Sequence, residues 1–151
     1  MTSRLTLVID EPKWKKPATL APKLKRAAAA ALKVAGKKSD GELTILLTSD
    51  TRLRELNSTF RGKNKPTNVL SFPADDADYL GDVAIAWGVT AREARESGKS
   101  FSDHASHLVV HGVLHLLGHD HVAAKDARIM EPLEVKILKT LGIADPYRTP
   151  A

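Results

Sequence analysis

The apolar positions of this chain fall into two rhythms. Short runs such as Leu5–Ile9 and Glu42–Thr48, the latter with Ile45, Leu46 and Leu47 in succession, have the length and composition of strands buried in a sheet. Val69–Phe72, halted by Pro73, and Gly81–Trp87 read the same way. Elsewhere the pattern is helical. Ala21–Ala35 is built of strong helix formers and ends at Gly36, a residue suited to a left-handed C-terminal turn. Asp50 can cap a helix from Thr51 to about Phe60, with Leu53 and Leu56 inward and Gly62 as its stop. Further helices are expected from about Val89 to Ser97 and from a cap at Ser102 to Leu117, where Gly118 closes the turn. A last one runs from about Lys125 to Leu141, with Pro132 marking either a kink or its true start. Pro12–Pro17 is a basic turn, and Lys63–Thr67 and the acidic Ala74–Tyr79 are loops.

Strands alternating with helices predict one α/β (α+β) domain over residues 1–151, with a small, mostly parallel sheet of about four strands packed with helices. The order of the strands is not in the pattern. A hydrophobic content of 42% in 151 residues suits a single core. The opening MTSRLTLVIDEPKWKK has no apolar stretch ahead of a cleavage site, and no run of apolar residues is long enough to span a bilayer. Cysteine is absent, which excludes disulfides and thiolate metal sites. A cytoplasmic monomer with no membrane partner is the expectation. The charge is unevenly spread: nine Lys or Arg and no acid lie between Lys13 and Lys38, and the remainder is net −4. Such asymmetry is either a footprint for nucleic acid or a solvated lysine-rich helix face.

The chemistry concentrates in HGVLHLLGHDH, residues 111–121, and all six histidines fall between positions 104 and 121. On a helix, His111 and His115 stand one turn apart on one face and can aim their rings at a common point. His107, on the same stripe, lies roughly 12 Å from His115 along the axis by helix rise, too far for three rings to converge on one ion. A third ligand fits better after the chain turns at Gly118, which points to His121, with His119 as its rival. Two ligands from a helix and one from its exit leave an open position, the mark of a catalytic zinc site. His104 and His107 read as ordinary surface or N-terminal helix residues. The spacing also matches the metzincin protease core, but Gly112 stands where that core has its glutamate base.

HGVLHLLGHDH resembles the signature of the YbeY family of metal-dependent endoribonucleases. LNSTFRGKNKPTNVLSFP (56–73), LGDVAIA (80–86), Met130 with Glu134, and LGIADPY (141–147) agree with it in order. The resemblance implies a small fold related to the zincins, zinc held by His111, His115 and His121, and a functional role for Arg61. It also implies processing of the 3′ end of small-subunit ribosomal RNA and a part in ribosome quality control, with that RNA and the small ribosomal subunit as partners. Arg61 has two readings from its own chemistry: a cation favourably placed at a helix C-terminus, which the residues alone favour, or a guanidinium at the head of a basic loop suited to bidentate phosphate recognition; the resemblance turns the balance to the second. Lys63 and Lys65 then become contacts to backbone phosphates. Asp120 is read either as a partner that holds a ligand imidazole by its free N–H, the favoured role, or as a proton acceptor. The expected reaction is metal-assisted cleavage of a phosphodiester, the metal making hydroxide available without a base at position 112. Two other readings stand beside it: a ribosome-associated RNA-binding factor whose metal is mainly structural, and a metzincin-like metalloprotease.

Overall fold

The four expected strands pair into one sheet in the computed structural model, which describes residues 5–35, 41–63, 67–74, 78–118 and 124–147. They are β1 (Leu5–Ile9), β2 (Glu42–Thr48), β3 (Val69–Pro73) and β4 (Tyr79–Ala86), in spatial order β1-β2-β4-β3. β1, β2 and β4 run parallel, and β3 lies antiparallel to β4 at the edge. The register sets Ile45 beside Val83 and Leu47 beside Ile85, so the period of two gathers Leu43, Ile45, Leu47, Val83 and Ile85 into the main core. Thr44, Leu46, Asp82 and Ala84 alternate with them and face the other way.

Five helices complete the domain among the described residues: α1 (Leu20–Ala35), α2 (Asp50–Arg61), α3 (Trp87–Ser97), α4 (Phe101–Leu116) and α5 (Ala124–Thr140). α1 and α4 pack together, and the small residues Ala27, Ala28 and Ala31 let their axes approach. α5 closes the same core with Met130, Ile137 and Leu138. On the opposite face α2 and α3 cover a smaller cluster of Leu53, Leu70, Ala84, Ala86 and Val89. No helix among the described residues is long and apolar enough to cross a membrane.

Several boundaries differ from expectation for local reasons. Ser49, not Asp50, caps α2, its hydroxyl accepting from the Arg52 N–H at 3.2 Å. Asp50 is spent elsewhere: its carboxylate accepts from the Val89 N–H at 3.0 Å and so caps α3, whose own cap residue, Ala86, has no side-chain oxygen. α3 accordingly starts at Trp87, expected as the last residue of a strand, and β4 starts at Tyr79, expected in the acidic loop. α4 begins behind Ser100, which accepts from the Asp103 N–H at 3.2 Å; the expected cap, Ser102, lies inside the helix. Pro132 sits within α5 and is not its start. Gly36 lies outside the described residues.

The basic turn contains an anchor. Pro12–Lys15 forms a short 3-10 turn that buries Trp14 completely, with its indole N–H on the Thr48 carbonyl at 2.9 Å and its ring 5.3 Å from that of Phe101. Removing a side chain packed this way costs about 3–5 kcal/mol. Two of the nine clustered cations also have structural partners. Lys23 Nζ lies 2.5 Å from Asp103, and Lys13 Nζ stands 4.9 Å above the Trp87 ring.

Candidate metal centre

The placement of the histidines begins with the glycine between them. A Cβ built on Gly112 would lie 2.6 Å from Val83 Cγ1, and 3.3 Å from Ser71 Oγ. Only a residue without a side chain lets α4 lie this close to β3 and β4. The contact is fastened by the Ser71 hydroxyl, which donates to the Gly112 carbonyl at 3.0 Å. With Gly112 pressed on the sheet, the helical step carries His111 and His115 to an adjoining flank, where both are partly buried. A glutamate at position 112 would have to enter the space that Val83 fills. This packing leaves no room for the protease base at position 112.

His111 and His115 turn their Nε2 atoms toward each other, 3.2 Å apart. Two nitrogens bound to one tetrahedral zinc at about 2.0–2.1 Å are separated by roughly 3.3 Å, so this spacing fits a shared ion. The other side of His111 explains its orientation. Its Nδ1 lies 2.8 Å from Oε2 of Glu134, a side chain with no exposed surface. His107 Nε2 lies 3.3 Å from the same oxygen, and the Tyr147 hydroxyl donates to Oε1. Burial pushes the Glu134 carboxyl upward, but the hydrogen bonds from His107, His111 and Tyr147 outweigh it and bring it down to about 2. Glu134 is thus a carboxylate and can only accept. It follows that His111 carries its proton on Nδ1 and presents the lone pair of Nε2 toward His115, the tautomer a metal ligand needs. Burial and the bond to Glu134 both raise the Tyr147 hydroxyl far above its ordinary value, so it remains a donor.

His107, His111 and Glu134 also form a group, with ligand atoms within 4.8 Å of one another, that could hold a metal ion. The expectation that His107 is a surface residue is corrected: its side chain is only 13% exposed and belongs to the Glu134 cluster. His104 is likewise partly buried, with Nε2 2.9 Å from Glu93 on α3. Burial lowers its pKa against the pull of that carboxylate.

Arg61 ends α2, and Gly62 follows in the left-handed conformation at φ 66, stopping the helix as expected. The arginine is exposed, and its Nη2 donates to the Ser71 carbonyl at 3.3 Å. Ser71 thereby touches both Arg61 and the backbone beside His111. Lys63, two residues on, is exposed. Gly118 adopts a left-handed φ of 97, the turn expected after the histidine helix. His119, Asp120, His121 and Lys65 lie outside the described residues.

Sequence reasoning gave no role to Glu134, Tyr147 or Ser71. For Glu134 a signal existed. It falls on the stripe of Met130, Ile137 and Leu138, all fully buried, and a lone carboxylate on an apolar helix face needs donors to be there.

The model of one family, Endoribonuclease YbeY, matches residues 9–142. The chain is 49% identical over 128 residues to the Endoribonuclease YbeY of Chelativorans sp. (strain BNC1), covering 78% of each protein. It is 50% identical over 133 residues to that of Rhodopseudomonas palustris (strain BisA53), covering 82% of this chain and 77% of the relative. Among solved structures, the solution structure of TM1509 from Thermotoga maritima superposes with a TM-score of 0.67 at 26% identity, over 95% of this chain and 99% of that one.

Proposed function

The chain belongs to the Endoribonuclease YbeY family, and from that premise we propose that it is a zinc-dependent endoribonuclease cutting single-stranded RNA. Its task is to mature the 3′ end of small-subunit ribosomal RNA and to serve ribosome quality control. It works as a cytoplasmic monomer, with that RNA and the small ribosomal subunit as partners. The observation that carries the chemistry is the facing Nε2 pair of His111 and His115, 3.2 Å apart, with the far nitrogen of His111 held by buried Glu134.

His111, His115 and His121 would hold the ion, which supplies Lewis acidity to a phosphoryl oxygen and hydroxide near neutral pH. The protein's own residues do the rest. Glu134 keeps the proton of His111 on Nδ1 and fixes the plane of its ring. Arg61 has donors beyond the one it spends on Ser71, and these meet the charge growing on phosphate oxygens. Lys63 and Lys65 take flanking phosphates, and Asp120 orients a ligand ring. A strand edge bordered by cations admits one extended strand more readily than a duplex.

The test is incubation of zinc-loaded protein with single-stranded RNA and with the matching perfect duplex, each with and without chelator. Cleavage of the single strand that chelator abolishes is expected. Cleavage that survives chelator, or that proceeds equally on duplex, overturns the proposal.

A further inference from the structure

The face of the sheet opposite the main core is only partly covered. Beyond the small cluster under α2 and α3 lies a cleft of about 730 Å³, floored by Thr44, Leu46, Asp82 and Ala84 and walled by Phe60 and Phe72. That volume is within the range of sites that enclose small molecules. Phe60 is 65% exposed although it is a large apolar ring at the end of α2. Its only aromatic neighbour among the described residues is Phe72, steeply tilted to it at 5.4 Å, and Phe60 lines the cleft with most of its surface uncovered. Core packing gives no reason for a phenylalanine there.

Charge is arranged in two levels. Arg61 stands on the rim with Lys63 exposed two residues on, whereas the floor carries the Asp82 carboxylate, which accepts from the Tyr79 hydroxyl. An anion is drawn to the rim and repelled by the floor. A neutral, flat ring bearing amino hydrogens is suited to the floor. One residue links the cleft to the metal centre: Ser71 lines the cleft, its carbonyl accepts from Arg61, and its hydroxyl donates to the Gly112 carbonyl beside His111.

We infer that this cleft is a nucleobase subsite, in which a base next to the phosphodiester at the metal centre stacks on Phe60 and offers an exocyclic amino group to Asp82. The inference rests on RNA being the substrate of that centre. The nucleotide's anionic and aromatic parts match the two levels of the site, phosphate at Arg61 and base within. Adenine, cytosine and guanine carry the amino group and uracil does not, so the subsite discriminates against uracil. Stacking on one aromatic ring accounts for roughly tenfold in affinity or more.

The test uses the full chain, zinc-loaded, with short single-stranded oligonucleotides protected by 2′-O-methyl groups and phosphorothioate linkages and checked by gel to stay intact. The fluorescent base 2-aminopurine is moved through each position in turn. Emission quenched at one position in the wild type, and not in Phe60→Leu, is the expected result, with affinity down roughly tenfold in the variant. Because Phe60 is mostly exposed, Phe60→Leu should fold, and a thermal melt checks this. Asp82→Asn should erase the preference for an adenine over a uracil at that position. Equal quenching at every position in the wild type, or unchanged quenching and affinity in Phe60→Leu, overturns the subsite. So does a wild-type dimer in sedimentation that Phe60→Leu dissociates, because the face is then a self-association surface. Wild-type protein that shows position-specific quenching but cuts no unmodified RNA overturns the nuclease function and leaves the subsite standing.

Discussion

Helix α4 carries a histidine–glutamate pair near each end, and the two are not equivalent. Near the N-terminus, His104 meets Glu93, which is 36% exposed and also accepts from Asn68. Toward the C-terminus, His111 meets Glu134, which has no exposed surface and takes two further donors, His107 and Tyr147. In the first pair burial wins and His104 is held below its ordinary value; the carboxylate, half in water, only brackets α3 to α4. In the second the carboxyl is held at about 2, so its charge persists and dictates where the imidazole proton sits. A glutamate positions a histidine ring for chemistry when it is buried and saturated with donors. The same two residue types at a half-wet surface make an ordinary tether.

The largest effect expected from this contrast is on metal content. His115→Ala should lose stoichiometric zinc, and His104→Ala should keep it, as read by elemental analysis of purified protein. Zinc retained in the first variant or lost in the second would erase the distinction between the two ends. Next in size is Arg61→Ala, which lies beside the C-terminal pair only. RNA cleavage should fall by roughly 10²–10³ with zinc content and melting temperature preserved, and Arg61→Lys should recover part of the rate. Wild-type turnover in Arg61→Ala removes Arg61 from the chemistry.

Smaller still is Glu134→Gln, which keeps the shape and removes the charge. Zinc affinity should weaken by about 10–100-fold, whereas Glu93→Gln should leave it unchanged and shift stability by no more than about 1 kcal/mol. Competition with a chromophoric chelator measures both, and equal losses would mean that burial of the carboxylate is irrelevant. The least effect is in the acid stability curve. Glu134 contributes stability that is complete above its ordinary 4.5 and disappears as pH falls toward 2. Burial makes folded His104 take up a proton less readily than the unfolded chain does, so its loss of stability begins as pH falls below its ordinary 6.5. Melts of apo Glu134→Gln and His104→Gln across that range should flatten the lower and the upper window respectively; a single shared window would contradict the separation of the pairs.

Much of this was legible along the chain because it is set by neighbours in sequence. The four strands are bounded by proline, glycine and charge, and the stops at Gly62 and Gly118 need only a backbone that tolerates positive φ. What was not legible depends on residues brought together by folding. Asp50 reads as the cap of the helix it opens, and only the docking of α3 shows that its carboxylate serves Val89 instead. Ser102 reads as the cap of α4, and only the fold shows it inside the helix, where it accepts from Lys23, 79 residues away. The case of His107 shows a limit in the reasoning itself. Helix rise excluded it from sharing an ion with His115, but could not reveal Glu134, supplied by α5, against which it packs.

Ser71 gives the molecule a common datum. Arg61 is referenced to its carbonyl and the histidine helix to its hydroxyl, so the offset between the arginine and the histidine pair accumulates over two hydrogen bonds instead of over the fifty residues separating Arg61 from His111. In engineering language the tolerance chain is short. Errors in the chain between them need not propagate into the distance between them. Short insertions outside the strands and helices of that stretch should therefore be tolerated while the spacing of the arginine and the histidines is preserved, which makes this short strand the gauge block of the site.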